Sequence, residues 1–284
     1  MRNGVAYLRR NPSLVAGLVV LAALLAAWVI GYALVDTIKA RPLSVRPNQM
    51  PSALLPLGSD RQGRNILAVL VIGTPLTLLI GLIAASVGTL VGTVVAFSAG
   101  YYGGAWDALV RGVVDTLQTV PGLLVLVLIA ISLRSRNGMS VEQMALVIGA
   151  LAWLTPTRLI RAQVLVLKRK LFVEIARQSG MSGPEIILRE LIPNLAPYIV
   201  ANFVIAFAAA ILASIGLEAL GLGPIETNTL GMTIYWNIYY TSILHGMWWW
   251  YGPPIAIIVM LFVGLFLVST GLDEWANPRL RSRD

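Results

Sequence analysis

Side chains able to make or break bonds are sparse in this sequence and are not spaced for catalysis. Cysteine is absent, so there is no thiolate nucleophile, no thiolate metal cage and no disulfide framework. His245 is the one histidine, and a lone imidazole without cysteine partners falls short of a metal-ligand set. No Gly-Lys pair occurs, so the chain lacks a phosphate-cradling Gly-x-x-x-x-Gly-Lys-Ser/Thr loop of its own, and there is no His-Glu-x-x-His helix. Asp107, Arg111 and Asp115 follow one another at i, i+4 and i+8, a spacing that places them on one helix face where they can pair along it. Glu142 reads as an acid snorkelling from a helix end, and Glu218 and Glu226 as solvated acids of a loop. None of this predicts catalysis by the chain.

Two stretches are denser in recognition chemistry. Tyr235, Trp236, Tyr239, Tyr240, Trp248, Trp249, Trp250 and Tyr251 crowd one segment. Such rings form either a belt at the headgroup level or a surface that contacts a docking protein or stacks on a solute. A sugar ring packs its C–H face well on Trp and Tyr, so the density favours an oligosaccharide; a peptide needs apolar pockets and backbone hydrogen bonds. The second stretch, 168–194, predicts two short helices at a sharp angle. Phe172 to Gln178 suits the first helix, which Gly180 stops because glycine tolerates the left-handed conformation after a helix end. Ser182 is placed to cap a second helix with Pro184 in its first turn, and Pro193 to end it. A compact knob of this kind suits a groove on a soluble partner; the competing reading is an amphipathic loop lying on a membrane surface.

The elements that must carry these stretches are apolar. Hydrophobic residues make up 57% of the 284 and charged residues 12%, with a mean hydropathy of +0.80; soluble domains hold about twice that charged share. A helix crosses the roughly 30 Å hydrocarbon core in about 20 residues. Six segments qualify, near 13–35, 66–97, 108–133, 141–165, 196–217 and 253–272. The first is too long for a signal-peptide core and lacks a cleavage site, so it reads as a retained span. Pro75, Pro121 and Pro156 mark possible kinks, and Gly88 with Gly92 forms a Gly-x-x-x-Gly step for close helix packing. The net charge is +8. With the N-terminus inside, Arg2, Arg9, Arg10, Arg111, Arg158, Arg161 and the basic cluster from Lys168 to Arg189 fall on inner segments. Lys39, Arg41, Arg46, Arg61, Arg64, Arg134 and Arg136 fall outside. That excess puts both termini in the cytoplasm, and it explains the charge without nucleic acid. The expected organisation is a cytoplasmic tail (1–12), a six-helix transmembrane domain (13–272) with an inner loop at 166–195 and outer loops at 36–65 and 218–252, and a cytoplasmic tail (273–284).

At this point a family resemblance becomes specific. Glu174-Ile-Ala176, then Gly180, then Ile192-Pro-Asn194 resembles the EAA loop of ABC-importer permeases, with Ile175 and Ile192 departing from the usual Ala and Leu. Pro56-Leu-Gly-Ser-Asp-Arg-Gln-Gly-Arg-Asn65 is similar to a segment of the dipeptide/oligopeptide permease family. So are Ala99-Gly-Tyr-Tyr-Gly-Gly-Ala-Trp-Asp107, Leu220-Gly-Leu-Gly-Pro224 and Asn277-Pro-Arg-Leu-Arg281. Four motifs in matching order resemble the second permease subunit of such a transporter, a family that also includes nickel and oligosaccharide carriers.

The resemblance implies an all-α, six-span polytopic protein of the type I ABC importer permease fold, in a prokaryotic plasma (inner) membrane. It implies a homologous second permease, two cytoplasmic ATPase subunits that hold ATP and Mg, and an extracytoplasmic solute-binding protein. The residues carried over as the ATPase-coupling loop are Glu174, Ala176, Gly180, Met181, Ser182, Gly183, Pro193 and Asn194. The aromatic segment would face the binding protein or the solute entrance. The solute would be a short oligopeptide or oligosaccharide. A proton-coupled secondary carrier using Asp115 or Glu142 is the alternative, with the long inner loop and the missing inverted repeat against it. A membrane enzyme ranks last for want of a nucleophile–base pair.

Overall fold

The computed structural model describes residues 11–133 and 139–276. Most of the two expected tails, Arg134, Arg136 and the motif at 277–281 lie outside the described residues. Among the described residues there is no strand, only an isolated bridge between Ser59 and Asn65. The first helix, α1 (Pro12–Leu34), is uncharged and apolar on every side, as a lipid-facing span must be. Val19, Leu25 and Ile30 stay more than half exposed. It packs on the last helix, α9 (Trp248–Ala276), where a Cβ on Gly17 would lie 2.8 Å from the Gly264 carbonyl oxygen.

The central strut is α2 (Ile66–Tyr102), 37 residues capped by the Asn65 side chain accepting from Leu67 N–H. At 1.5 Å per residue it is about 55 Å long and overruns the hydrocarbon. A ladder of glycines lets two neighbouring helices press against it. A Cβ on Gly81 would sit 2.5 Å from Ile211, on Gly88 2.5 Å from Ala152, and on Gly92 2.8 Å from the Trp153 carbonyl. The Gly88–Gly92 step is therefore spent on packing inside the chain.

The third apolar segment is not one straight span. Gly104–Thr119 (α3) and Gly122–Leu133 (α4) meet at 85°. Val120 between them is extended (φ −85°, ψ 132°), the conformation a following proline, here Pro121, imposes. With 12 residues, α4 is about 18 Å long and cannot cross alone. Among the described residues five helices are thus long and apolar enough to span, or six if the bent pair counts as one. The fourth span is α5 (Val141–Leu167). It starts from a capping box in which Gln143 N–H donates to Ser140 Oγ and Ser140 N–H to Gln143 Oε1.

A short helix, α6 (Leu171–Gln178), precedes α7, an unbroken helical run over Gly183–Ala219. Then come α8 (Leu230–Tyr239) and α9. The core lies where α2, α5 and α7 meet, around Ile80, Ala84, Met144, Ile148, Ala210 and Leu217. Separate apolar clusters close the two ends of the bundle.

Candidate functional site

One end of the bundle is built by the 166–195 loop. The first short helix forms as its sequence predicts: on α6, Val173 (0% exposed) and Ala176 (7%) are buried, while Glu174, Ile175 and Arg177 face out. It stops at Gly180 (φ +84°). Gly180 N–H donates to Arg177 C=O and Met181 N–H to Ala176 C=O, both at 3.1 Å. That crossed pair satisfies carbonyls a helix end leaves open. Ala176 and half-buried Met181 join the same apolar cluster. Ser182 is exposed, and its hydroxyl makes no cap bond.

The second helix departs from expectation. Pro193 does not end it: Gly183–Ala219 is one helix, so the knob's second arm is the start of the fifth span. The reason is a widened π turn at Ile187–Leu191, where Ile192 N–H donates to Ile187 C=O. Proline lacks an N–H and its ring crowds the carbonyl one turn back; a widened turn makes room for it without breaking the helix. Asn194, exposed beside Pro193, donates from Nδ2 to the Glu190 carbonyl at 2.6 Å.

The knob rests on the 99–107 link, to which the sequence reading gave no role in the site. A Cβ on Gly183 would meet Tyr102 Oη at 3.1 Å and Tyr101 Cε1 at 3.2 Å. Lys168 Nζ donates to Gly100 C=O at 2.6 Å. The expected Asp107–Arg111–Asp115 pairing along α3 does not occur. Asp107 instead takes a two-point bond from Arg161 on α5, both contacts at 2.5 Å, the parallel fork by which a guanidinium meets a carboxylate. Arg158 donates to Gln118 at 3.1 Å, and Arg111 and Asp115 remain exposed. The signal was the Gly103–Gly104 pair: both residues have positive φ (+73° and +66°) and turn the chain so that α3 lies back against α5.

The opposite end holds the aromatic segment, and it is not an open surface of eight rings. Trp250 (1% exposed) and Trp249 (5%) are core residues packed with Ile66, Leu70, Leu230 and Met247. They fall in the first turn of α9 rather than in a loop. Tyr235, Trp236 and Tyr240 are half-buried and pack on one another: the Tyr235 and Trp236 centroids are 5.0 Å apart, Trp236 and Tyr240 5.8 Å, Tyr240 and Trp250 6.0 Å. Tyr239 (62%) and Trp248 (59%) are the exposed rings of the eight. Arg61 lies over the Tyr240 ring at 5.6 Å and 3.4 Å from His245 Nε2. The spacing of the aromatics fixed their abundance but not which of them the helix start at Trp248 would turn inward.

The 56–65 motif seals this end. Arg64 pairs with Asp60 at 2.6 Å, both buried, and donates to Asn228 at 2.9 Å. Trp249 Nε1 donates to the Ser59 carbonyl at 3.3 Å. Glu218, expected as a solvated loop acid, is a fully buried residue in the last turn of α7, with Thr229 donating to its Oε2 at 2.6 Å. Glu226 is exposed as expected. Glu142 is also exposed. Between α4, α5 and α7 a cleft of about 200 Å³ is walled by aliphatic residues, Leu126, Ile148 and Ile205 among them, and by alanines of α7, with Thr155 and Asn202 as its polar groups.

Comparison with known proteins follows the same lines. The family described as binding-protein-dependent transport system inner membrane component matches residues 88–282. The chain is 30% identical to the oligopeptide transport system permease protein OppC of Mycobacterium tuberculosis over 281 residues, 96% of this chain and 92% of the relative. It is 28% identical to the dipeptide transport system permease protein DppC of Bacillus subtilis, over 96% of this chain and 84% of the relative. The OppC protein of Lactococcus lactis subsp. cremoris is 26% identical over 80% of this chain and 76% of its own length.

Proposed function

The chain belongs to the binding-protein-dependent transport system inner membrane component family, and on that premise we propose that it is one permease half of an ATP-driven importer for short peptides. Members of this family are multi-pass membrane permeases rather than enzymes. The family also implies, in general terms, a partner permease, ATPase subunits and a binding protein. In our reading the partner is homologous, two cytoplasmic ATPases hold ATP and Mg, and the binding protein delivers solute at the end bearing α8.

The observation that carries the reading is the knob of α6 and the start of α7. Its buried face anchors it to α2 and α5 through Val173, Ala176, Ile186 and Leu191. Its other face presents Glu174, Ile175, Gln178 and Leu188 to a partner. A membrane-surface loop would need one continuous apolar face turned to lipid; here the apolar face is spent inward and charges alternate with apolar groups outside. ATP-driven closure of the ATPases would move this knob and bias a two-state permease between inward and outward openings.

A peptide is favoured over an oligosaccharide for two reasons. The relatives are named for oligopeptide and dipeptide transport, and the rings that favoured a sugar are largely packed on one another. The cleft lined by Thr155 and Asn202 would be this half's share of the solute path. The proton-coupled alternative loses ground because Asp115 and Glu142 are both exposed in the folded chain.

The test is transport in proteoliposomes holding the whole assembly. Uptake of a short peptide should require ATP and binding protein and persist when the proton gradient is collapsed. Gly180→Val and Glu174→Lys should leave the assembly membrane-inserted and hydrolysing ATP while abolishing uptake. Normal uptake in both variants would overturn the coupling assignment, and uptake of an oligosaccharide in place of peptide would overturn the solute.

A further inference from the structure

Glu218 is a buried acid that faces no basic side chain among the described residues. Asp60, also buried, has Arg64. A carboxylate is removed from water only where something else solvates it. Here that environment is the N-terminus of α8. Thr229 Oγ1 donates to Oε2 at 2.6 Å, and the carboxylate lies against the backbone N–H groups of Gly231 and Met232. Thr229 Oγ1 in turn accepts from Met232 N–H at 3.1 Å. Leu230 N–H donates to Thr77 Oγ1 at 2.9 Å, so the Glu218 carboxyl group is held at this helix start by the Thr229 hydroxyl and by the positive end of the helix dipole.

The fit is close. A Cβ on Gly231 would lie 2.1 Å from Glu218 Oε2, and one on Gly223 would lie 2.5 Å from Glu218 Cγ. Glu218 Oε1 is buried without a hydrogen-bond partner. The chain between the two helices is a tight return. Gly221 (φ +76°) ends α7, with Gly221 N–H donating to Glu218 C=O at 2.8 Å and Leu222 N–H to Leu217 C=O at 3.1 Å. Glu218 thus fixes both the exit of α7 through its backbone and the entry of α8 through its side chain.

The other end of the same helix is the knob. The run Gly183–Ala219 is 37 residues without a break, about 55 Å. We propose that Glu218 is a positioning residue that makes α8 a rigid continuation of α7, so that displacement of the knob reaches the aromatic segment at the far end as one body. The direction of drive rests on the coupling reading given above; the rigid link does not.

The absence of native cysteine makes the test direct. In the assembled transporter, spin labels at Leu212→Cys on α7 and Tyr239→Cys on α8, both exposed, report the distance between the two helices. The distance should be narrow and identical with and without trapped nucleotide. In Glu218→Ala it should broaden or split. Glu218→Gln keeps one acceptor oxygen and should restore the narrow distance. Thr229→Val, which removes only the hydroxyl, guards against an Ala variant that fails to assemble, and should broaden it in the same direction. Stimulation of ATPase by loaded binding protein should fall about tenfold in Glu218→Ala with basal hydrolysis unchanged, the size expected for losing one buried hydrogen bond. A wild-type distance that changes with nucleotide, or an assembled Ala variant as narrow as wild type, overturns the proposal. The distance arm assumes nothing about what grips the knob, so its failure strikes the link alone, whereas the Gly180 and Glu174 variants decide the coupling assignment.

Discussion

Asp60 and Arg64 set the stakes at single residues. Asp60 Oδ1 accepts from Gln62 and Arg64 N–H at 2.9 Å while Oδ2 takes Arg64 Nε at 2.6 Å. Removing Asp60 leaves a guanidinium buried with one remaining side-chain partner, Asn228. Asp60→Ala should therefore destabilise by about 3–5 kcal/mol, read as a large drop in the detergent melting temperature; Asp60→Ala with Arg64→Met should recover most of it. Gly180 is the opposite case. A Cβ there meets nothing within 4 Å, so the cost of a side chain is backbone strain alone. Gly180→Ala should cost about 1 kcal/mol, and the β-branched Gly180→Val more. Gly180 was legible because only glycine answers that stop signal cheaply. Trp249 and Trp250 were not, because a run of Trp reads the same at a headgroup belt and in a core until a neighbouring motif, here 56–65, folds over it.

Elements were legible where one helix satisfies its own backbone and less so where two compete. The apolar runs located α1, α2, α5 and α9 well. The third span misled because Pro121 turns the chain by 85° instead of kinking it, leaving α3 tied by Asp107–Arg161. That pair's side chains are 18% and 16% exposed, so it is screened far less than a surface pair. Asp107→Arg and Arg161→Asp should each loosen α3, costing about 1.5–3 kcal/mol, and the double swap should regain stability beyond additivity in a double-mutant cycle. Additive losses would mean that the bond does not hold the bend. Pro193 misled in the reverse sense: read as a stop, it is accommodated by the π turn. Pro193→Ala should keep the span and leave the melting temperature nearly unchanged, while Pro193→Gly should lower the stability by about 1 kcal/mol relative to Ala.

For the whole molecule, the polytopic helical class followed from hydropathy alone, whereas orientation rests on the distribution of Lys and Arg. It is testable because the chain has no cysteine of its own. Ser44→Cys and Tyr239→Cys should react with a membrane-impermeant maleimide on intact cells, and Gln178→Cys only after permeabilisation; the reverse pattern would place both termini outside. The two ends of the bundle are joined twice, by α2 and by α7, and these helices touch closely where Gly81 meets Ile211. That contact divides α7 unequally: about 40 Å of helix lies on the knob side and about 12 Å on the Glu218 side, counted at 1.5 Å per residue. A rod rocking on such a fulcrum gears motion down. If the knob is driven as proposed, its long arm would sweep some three times as far as the short one, and a coarse stroke there would arrive as a fine and forceful adjustment at the Glu218 end.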